Sequence, residues 1–218
     1  MLVNSFFAKI RNEFFIKDDF DRIHGTDTSR HISRWRLGIG RTAIHYQATE
    51  PDVFAQACQA LPSNARSFPF FDLGCGKGRV LIMAQEQGFQ HIIGVELSRK
   101  ALNICRQNLL RLGASTISLI AGSASDVTFP DSPIVVFMYN PFRPPLFNVV
   151  LARLEEHGYP LFLIYANPEY RRLIEETGRF VAILDSPNLL VCQLANRNTD
   201  TRKGVGTLHR YRSNKFGA

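Results

Sequence analysis

The amino-acid sequence predicts an α/β fold: a doubly wound, mostly parallel seven-stranded sheet with helices on both faces, ending in an antiparallel hairpin. Two observations carry this. From Phe68 onward, short apolar runs alternate with segments of helical periodicity, the pattern of strands buried between two helix layers. Near the end, runs 179–185 and 189–195 are separated only by Ser186-Pro187-Asn188. Such a gap closes an antiparallel hairpin, because a parallel return needs a crossover of roughly a dozen residues or more.

The elements follow in order. Leu2, Val3, Phe6, Phe7, Ile10 and Phe14 recur at helical spacing, with Lys9, Arg11 and Glu13 on the remaining surface. This reads as an amphipathic helix that docks on the domain, a partner or a membrane surface, and its own core is the ordinary choice. Residues 18–41 are polar, contain Gly25, Gly38 and Gly40, and predict a long loop or lid with short helical pieces. Thr49-Glu50-Pro51-Asp52 predicts a helix start, with Thr49 near the cap and Pro51 in the first turn, running to about residue 61 or 62. Runs 68–74, 91–96, 116–121, 134–139 and 159–166 predict buried strands, and 78–87, 98–112, 146–157 and 168–177 the helices between them.

A chain of 218 residues with 45% hydrophobic residues fills one core and is short for two. We therefore expect one domain over 46–196, preceded by an amphipathic and lid-like segment, 1–45, and followed by a tail, 197–218. The formal charge is +7, which favours an anionic partner without bearing on fold. Most of it sits in the tail, where Arg197, Arg202, Lys203, Arg210, Arg212 and Lys215 face only Asp200. Cys58, Cys75, Cys105 and Cys192 lack zinc or redox spacing and read as reduced thiols of a cytoplasmic protein. No apolar run has membrane-spanning length, and the six histidines show no metal-binding spacing. Phosphate-loop and serine-hydrolase motifs are absent as well.

The strongest local signal is Phe70-Phe71-Asp72-Leu73-Gly74-Cys75-Gly76-Lys77-Gly78-Arg79, a buried strand entering a glycine-rich turn and then a helix. Glycines let the backbone turn sharply and approach a ligand closely. The dinucleotide fingerprint Gly-x-Gly-x-x-Gly is not met, because Arg79 stands at the third glycine. Asp72 would repel a pyrophosphate but suits the ammonium and sulfonium of S-adenosylmethionine. Glu96 closes the next strand, where a carboxylate accepts hydrogen bonds from both ribose hydroxyls.

These runs, with Gly94-Val95-Glu96-Leu97-Ser98 and Asn140-Pro141-Phe142, resemble the class I S-adenosylmethionine-dependent methyltransferases, of Rossmann-like fold, over about residues 46–196. The resemblance implies that Gly74, Cys75 and Gly76, with Gly78 completing the turn, lie against the methionine part. Glu96 holds the ribose and Leu97 packs on the adenine. After the third strand the family has Gly-Asp, whereas this chain has Gly122-Ser123-Ala124-Ser125-Asp126. Ser123 and its neighbour Ala124 stand at the adenine, with Ser123 or Asp126 as the polar contact.

At the end of the fourth strand the resemblance implies a reaction loop. In nitrogen-directed members an Asn-Pro-Pro-aromatic loop accepts hydrogen bonds from the target amine and stacks a ring on the substrate. Asn140, Pro141 and Phe142 correspond to it, with one proline in place of two. The alternative is a stiff turn that starts the next helix. Lys77 and Arg79 oppose the helix dipole and are either solvated or paired with an anionic group of cofactor or substrate.

The expected activity is transfer of a methyl group from S-adenosylmethionine to nitrogen, with a protein side chain favoured as acceptor. An RNA or DNA acceptor is the alternative, supported by the basic tail and by residues 30–41, which hold four Arg and Trp35. A non-catalytic S-adenosylmethionine- or RNA-binding module is the third reading.

Overall fold

A computed structural model of the protein describes residues 18–29, 48–140 and 142–195. The expected helix over Leu2 to Phe14, the Arg-rich residues 30–41, Pro141 and the tail from residue 197 lie outside the described residues.

Seven strands form one sheet: β1 (Phe70–Leu73), β2 (Ile92–Glu96), β3 (Ile117–Ala121), β4 (Ile134–Tyr139), β5 (Leu161–Ala166), β6 (Phe180–Ser186) and β7 (Leu189–Leu194). Their order is β3-β2-β1-β4-β5-β7-β6. Strands β1 to β5 pair in parallel, and β7 runs antiparallel to both β5 and β6. The doubly wound sheet and its terminal hairpin are as the sequence predicts.

The side-chain period of two explains the two helix layers. Along β4, Val135 and Phe137 enter one apolar cluster, while Ile134, Val136 and Met138 enter the other. Along β5, Phe162 and Ile164 join the first, and Leu161, Leu163 and Tyr165 the second. Helices α2 (Pro51–Ala60), α3 (Arg79–Glu86) and α4 (Arg99–Arg111) cover the first face through Phe54, Leu81 and Leu102. Helices α5 (Pro144–Glu155) and α6 (Arg171–Glu176) cover the other through Phe147, Leu151 and Ile174. Helix α1 (Asp19–His24) precedes them, and Phe20 packs on the first cluster.

Two local expectations are corrected. Residues 116–121 do form a strand, but β3 is half-exposed, with Ile120 42% accessible, because it borders the sheet and has no outer strand among the described residues. Thr49 lies next to the cap of α2, as expected, and Glu50 occupies the cap itself with no side-chain capping bond. Pro51 begins the helix, so the cap falls on the residue just before it. Helix α5 starts at Pro144, two residues earlier than the periodicity indicates, for the same reason.

The topology also fixes where a ligand belongs. From β1 the chain winds outward through β2 and β3, and from β4 it winds the other way through β5. The crevice between the carboxyl ends of β1 and β4 is thus the switch point, where open α/β sheets bind ligands.

Candidate active site

The chain leaves β1 through a turn that glycine makes possible. Gly74, Gly76 and Gly78 have φ of 92°, 54° and 89°, in the left-handed region that side chains disfavour. Val95 O accepts from both Gly74 N–H and Cys75 N–H, at 2.9 and 3.0 Å, which ties the turn to β2. Gly78 has a second reason to be glycine: a Cβ there would lie 2.6 Å from Cys105 Sγ. Gly78 also caps α3 without any side chain, so no cap oxygen competes for the first amides of the helix.

Two carboxylates converge beside this turn. Glu96 accepts from Gly76 N–H through Oε2 at 2.9 Å and from Ser98 N–H through Oε1 at 2.7 Å. Each oxygen keeps acceptor capacity, so the group can still receive two hydroxyls of a vicinal diol. Burial raises its pKa, and the amides of Ser98, Gly76 and Leu97 oppose that rise. Asp72 is 3% exposed, and burial, then the neighbouring Glu96 charge, push its pKa well above the usual carboxylate range. Among the described residues none donates a hydrogen bond to Asp72. A cation at this edge would relieve both carboxylates, so the residues present fit the ammonium and ribose of S-adenosylmethionine. Cys75 is buried, its thiol pushed up by the hydrogen bond with Cys105 and then by burial, which leaves its backbone as the part that can face a ligand.

On the adenine side of the expected site, Leu97 is 50% exposed and Ala124 is buried. Ser123 accepts from Ser125 N–H and caps the short 3-10 helix Ala124–Asp126, while Ser125 Oγ donates to Asp126.

At the end of β4, Asn140 is buried and adopts φ of 36°, a conformation asparagine tolerates better than most residues. Its Nδ2 donates to Glu169 Oε2 at 2.6 Å, and its Oδ1 accepts from the Tyr165 hydroxyl at 3.1 Å. Burial, foremost, holds Tyr165 well above the ordinary tyrosine range, so it remains a neutral donor. Phe142 is 7% exposed and packs into the cluster under α5. Pro144 and Pro145 begin α5, so the latter part of this loop does start the next helix.

Lys77 and Arg79 are not solvated: they are 1% and 3% exposed. Lys77 Nζ lies 3.2 Å from Asp27 Oδ1. Arg79 pairs with Asp18, donates to Thr28 Oγ1 at 2.8 Å and stacks on the Phe20 ring at 4.6 Å. Asn108 of α4 joins the same contact, donating to Lys77 O and Asp27 O. Residues 18–29 therefore clasp the far side of the glycine turn. Asp21, fully buried, holds this segment together by accepting from Thr26, Thr28 and Ser29 at 2.6–2.8 Å. Burial raises its pKa, but these hydrogen bonds outweigh burial and hold it well below the usual range.

Sequence reasoning did not single out Glu169, Tyr165 or Asp21. Two cations against the dipole of an otherwise apolar helix signalled that counter-charges were needed, and Asp18 and Asp27 of the polar segment 18–29 supply them. Among the described residues there is no cluster of groups that could hold a metal, and no helix is long and apolar enough to cross a membrane.

Residues 70–157 match the methyltransferase domain family. Solved structures share the fold at low identity. A Pyrococcus horikoshii protein proposed as an RNA methyltransferase aligns with a TM-score of 0.52 and 20% identity, over 68% of this chain and 82% of its own. The Thermus thermophilus 16S rRNA N2 G1207 methyltransferase aligns with 0.53 and 18%, over 71% and 45%. A glycopeptide N-methyltransferase complexed with sinefungin aligns with 0.50 and 14%, over 67% and 93%. Residues 70–157 thus carry a methyltransferase domain, and the sheet order around it is that of the class I S-adenosylmethionine-dependent methyltransferases, which the chain resembles.

Proposed function

We propose that this methyltransferase acts on a nitrogen of a protein side chain. The observation that carries the reading is the Asn140 amide at the end of β4, across the switch point from Asp72. When bound, S-adenosylmethionine supplies an electrophilic methyl group on a sulfonium. Asp72 receives the ammonium and Glu96 the ribose hydroxyls, beside the backbone of Gly74, Cys75, Gly76 and Gly78. Leu97 and Ala124 cover the adenine, with Ser123 or Asp126 as its polar contact. Asn140 Oδ1 accepts one N–H of the target, which aims the nitrogen lone pair, with Pro141 and Phe142 as the other residues assigned to the reaction loop. Orientation of this kind is the main device open to an in-line displacement.

A protein amine is favoured because Glu169, beside Asn140, presents a carboxylate that attracts a cationic side chain and repels a phosphate chain; the amine releases one proton to solvent before its lone pair takes the methyl group. The buried, free thiols of all four cysteines fit a reducing compartment, so we place the enzyme in the cytoplasm. We keep the division at residues 45/46 and 196/197, with the flanking segments as substrate-binding additions.

An RNA or DNA acceptor is the second reading, favoured by the basic tail and residues 30–41. The test offers methyl-labelled S-adenosylmethionine with a pool of basic peptides or with total RNA. Label in peptides, insensitive to nuclease, supports the protein reading. Label in RNA alone, with activity falling steeply as salt rises, overturns it.

A further inference from the structure

We propose that Glu169 is a positioning residue for methyl transfer, acting through Asn140. This rests on the reading of Asn140 as the group that receives the acceptor nitrogen. An asparagine amide has two ends of similar shape and opposite polarity, and a loop that leaves it free to flip presents a donor as often as an acceptor. Here the choice is forced. An ionised carboxylate accepts hydrogen bonds only, so the atom 2.6 Å from Glu169 Oε2 must be the Asn140 nitrogen. Tyr165, a neutral phenol, then donates to the oxygen at 3.1 Å. That oxygen keeps a second lone pair for an N–H donor. Tyr170 N–H approaches the Tyr165 hydroxyl at 3.4 Å from the other side, so the phenol oxygen receives one hydrogen while it gives its own to Asn140.

The lock is assembled from separate elements. Asn140 ends β4, Tyr165 lies on β5, and Glu169 follows β5 after Asn167, which has a φ of 47°. Hydrogen bonds from Glu169 N–H to Asn167 O and from Asn167 N–H to Asn188 O, both 2.8 Å, tie that turn to itself and to the β6–β7 hairpin. Unlike Asn140 and Tyr165, Glu169 is solvent-exposed, so the fold does not depend on burying it. The amide it faces accounts for its placement.

The experiment compares E169A and E169Q with the unaltered chain, and N140A with N140A/E169A. E169Q keeps an oxygen acceptor for Asn140 and removes the charge. On the acceptor pool that takes label, E169A is expected to lower kcat about tenfold, with KM for S-adenosylmethionine and the melting temperature unchanged, an orientation loss. E169Q, whose amide offers a donor as well as an acceptor, is expected to fall between E169A and the unaltered enzyme. In the N140A background, E169A is expected to do nothing further. Independently of any acceptor, the Asn140 side-chain amide resonances should shift in E169A, and further than in E169Q, which keeps a neutral acceptor. Unmoved resonances in E169A, an undiminished kcat in E169A, or an E169Q as impaired as E169A would each overturn the proposal. If N140A turns over normally while the resonances move as expected, the reading of Asn140 fails and the lock has no catalytic consequence.

Discussion

Single residues carry the proposed cofactor and reaction sites, and each makes a distinct demand on its position. Gly78 combines a left-handed backbone with a Cβ position 2.6 Å from Cys105 Sγ. Gly78→Ala should destabilise the fold by about 1–3 kcal/mol through backbone strain and overpacking, read as a shift in the urea midpoint at constant slope. Asn140→Ala should leave cofactor binding intact and lower kcat about a hundredfold, since what it removes is orientation. Normal turnover in that variant would remove Asn140 from the reaction. Glu96 was legible from sequence because its place at a strand end follows from the period of two and the count from the glycine turn. Glu169 was not, because its partner is 29 positions away and only the parallel pairing of β4 with β5 brings them together.

Among the elements, the segment 18–29 shows how buried charge can fasten a chain. Asp21→Asn leaves the amides of Thr28 and Ser29 competing for one oxygen acceptor, and should cost about 2–3 kcal/mol, the usual penalty for unsatisfied buried donors. The pH dependence has two limits. Asp21, held below its ordinary 3.8, contributes fully above about pH 4, and its contribution is lost as pH falls through its folded value. His24 is opposed by burial but raised above its ordinary 6.5 by the Phe20 carbonyl and Glu86. Both partners are acceptors, at 2.8 and 2.7 Å, so the protonated ring satisfies both; its contribution is full below about 6.5 and lost as pH rises past the raised value. Amide exchange in residues 18–29, corrected for intrinsic rates, should therefore be slowest between about pH 4 and 6.5, the ordinary values bounding the window. Exchange that slows further above pH 7 would contradict this. The segment's helix was partly legible from its polar, turn-rich composition. Its docking was not, since Asp27 meets Lys77 across 50 positions and Asp18 meets Arg79 across 61.

At the scale of the whole molecule, the sheet was legible because its inner strands are buried on both faces and read as unbroken apolar runs, as residues 134–139 do. Edge strands are less so, and β3 was read as buried because composition does not reveal which strand ends the sheet. Net charge acts at this scale too. If RNA is the acceptor, binding should weaken steeply between about 50 and 200 mM salt as phosphate contacts release counterions, whereas a small amine acceptor should show a shallow dependence. The cofactor is proposed to lie between the glycine turn and the carboxylates of Asp72 and Glu96. Calorimetry on the full chain with S-adenosylmethionine, S-adenosylhomocysteine and NAD tests it most directly. The account predicts binding of the first two, weakened about 10- to 100-fold in Glu96→Ala as the hydrogen bonds to a charged acceptor are lost, and no binding of NAD. Binding of NAD alone, or of S-adenosylmethionine with no loss in Glu96→Ala, would contradict it.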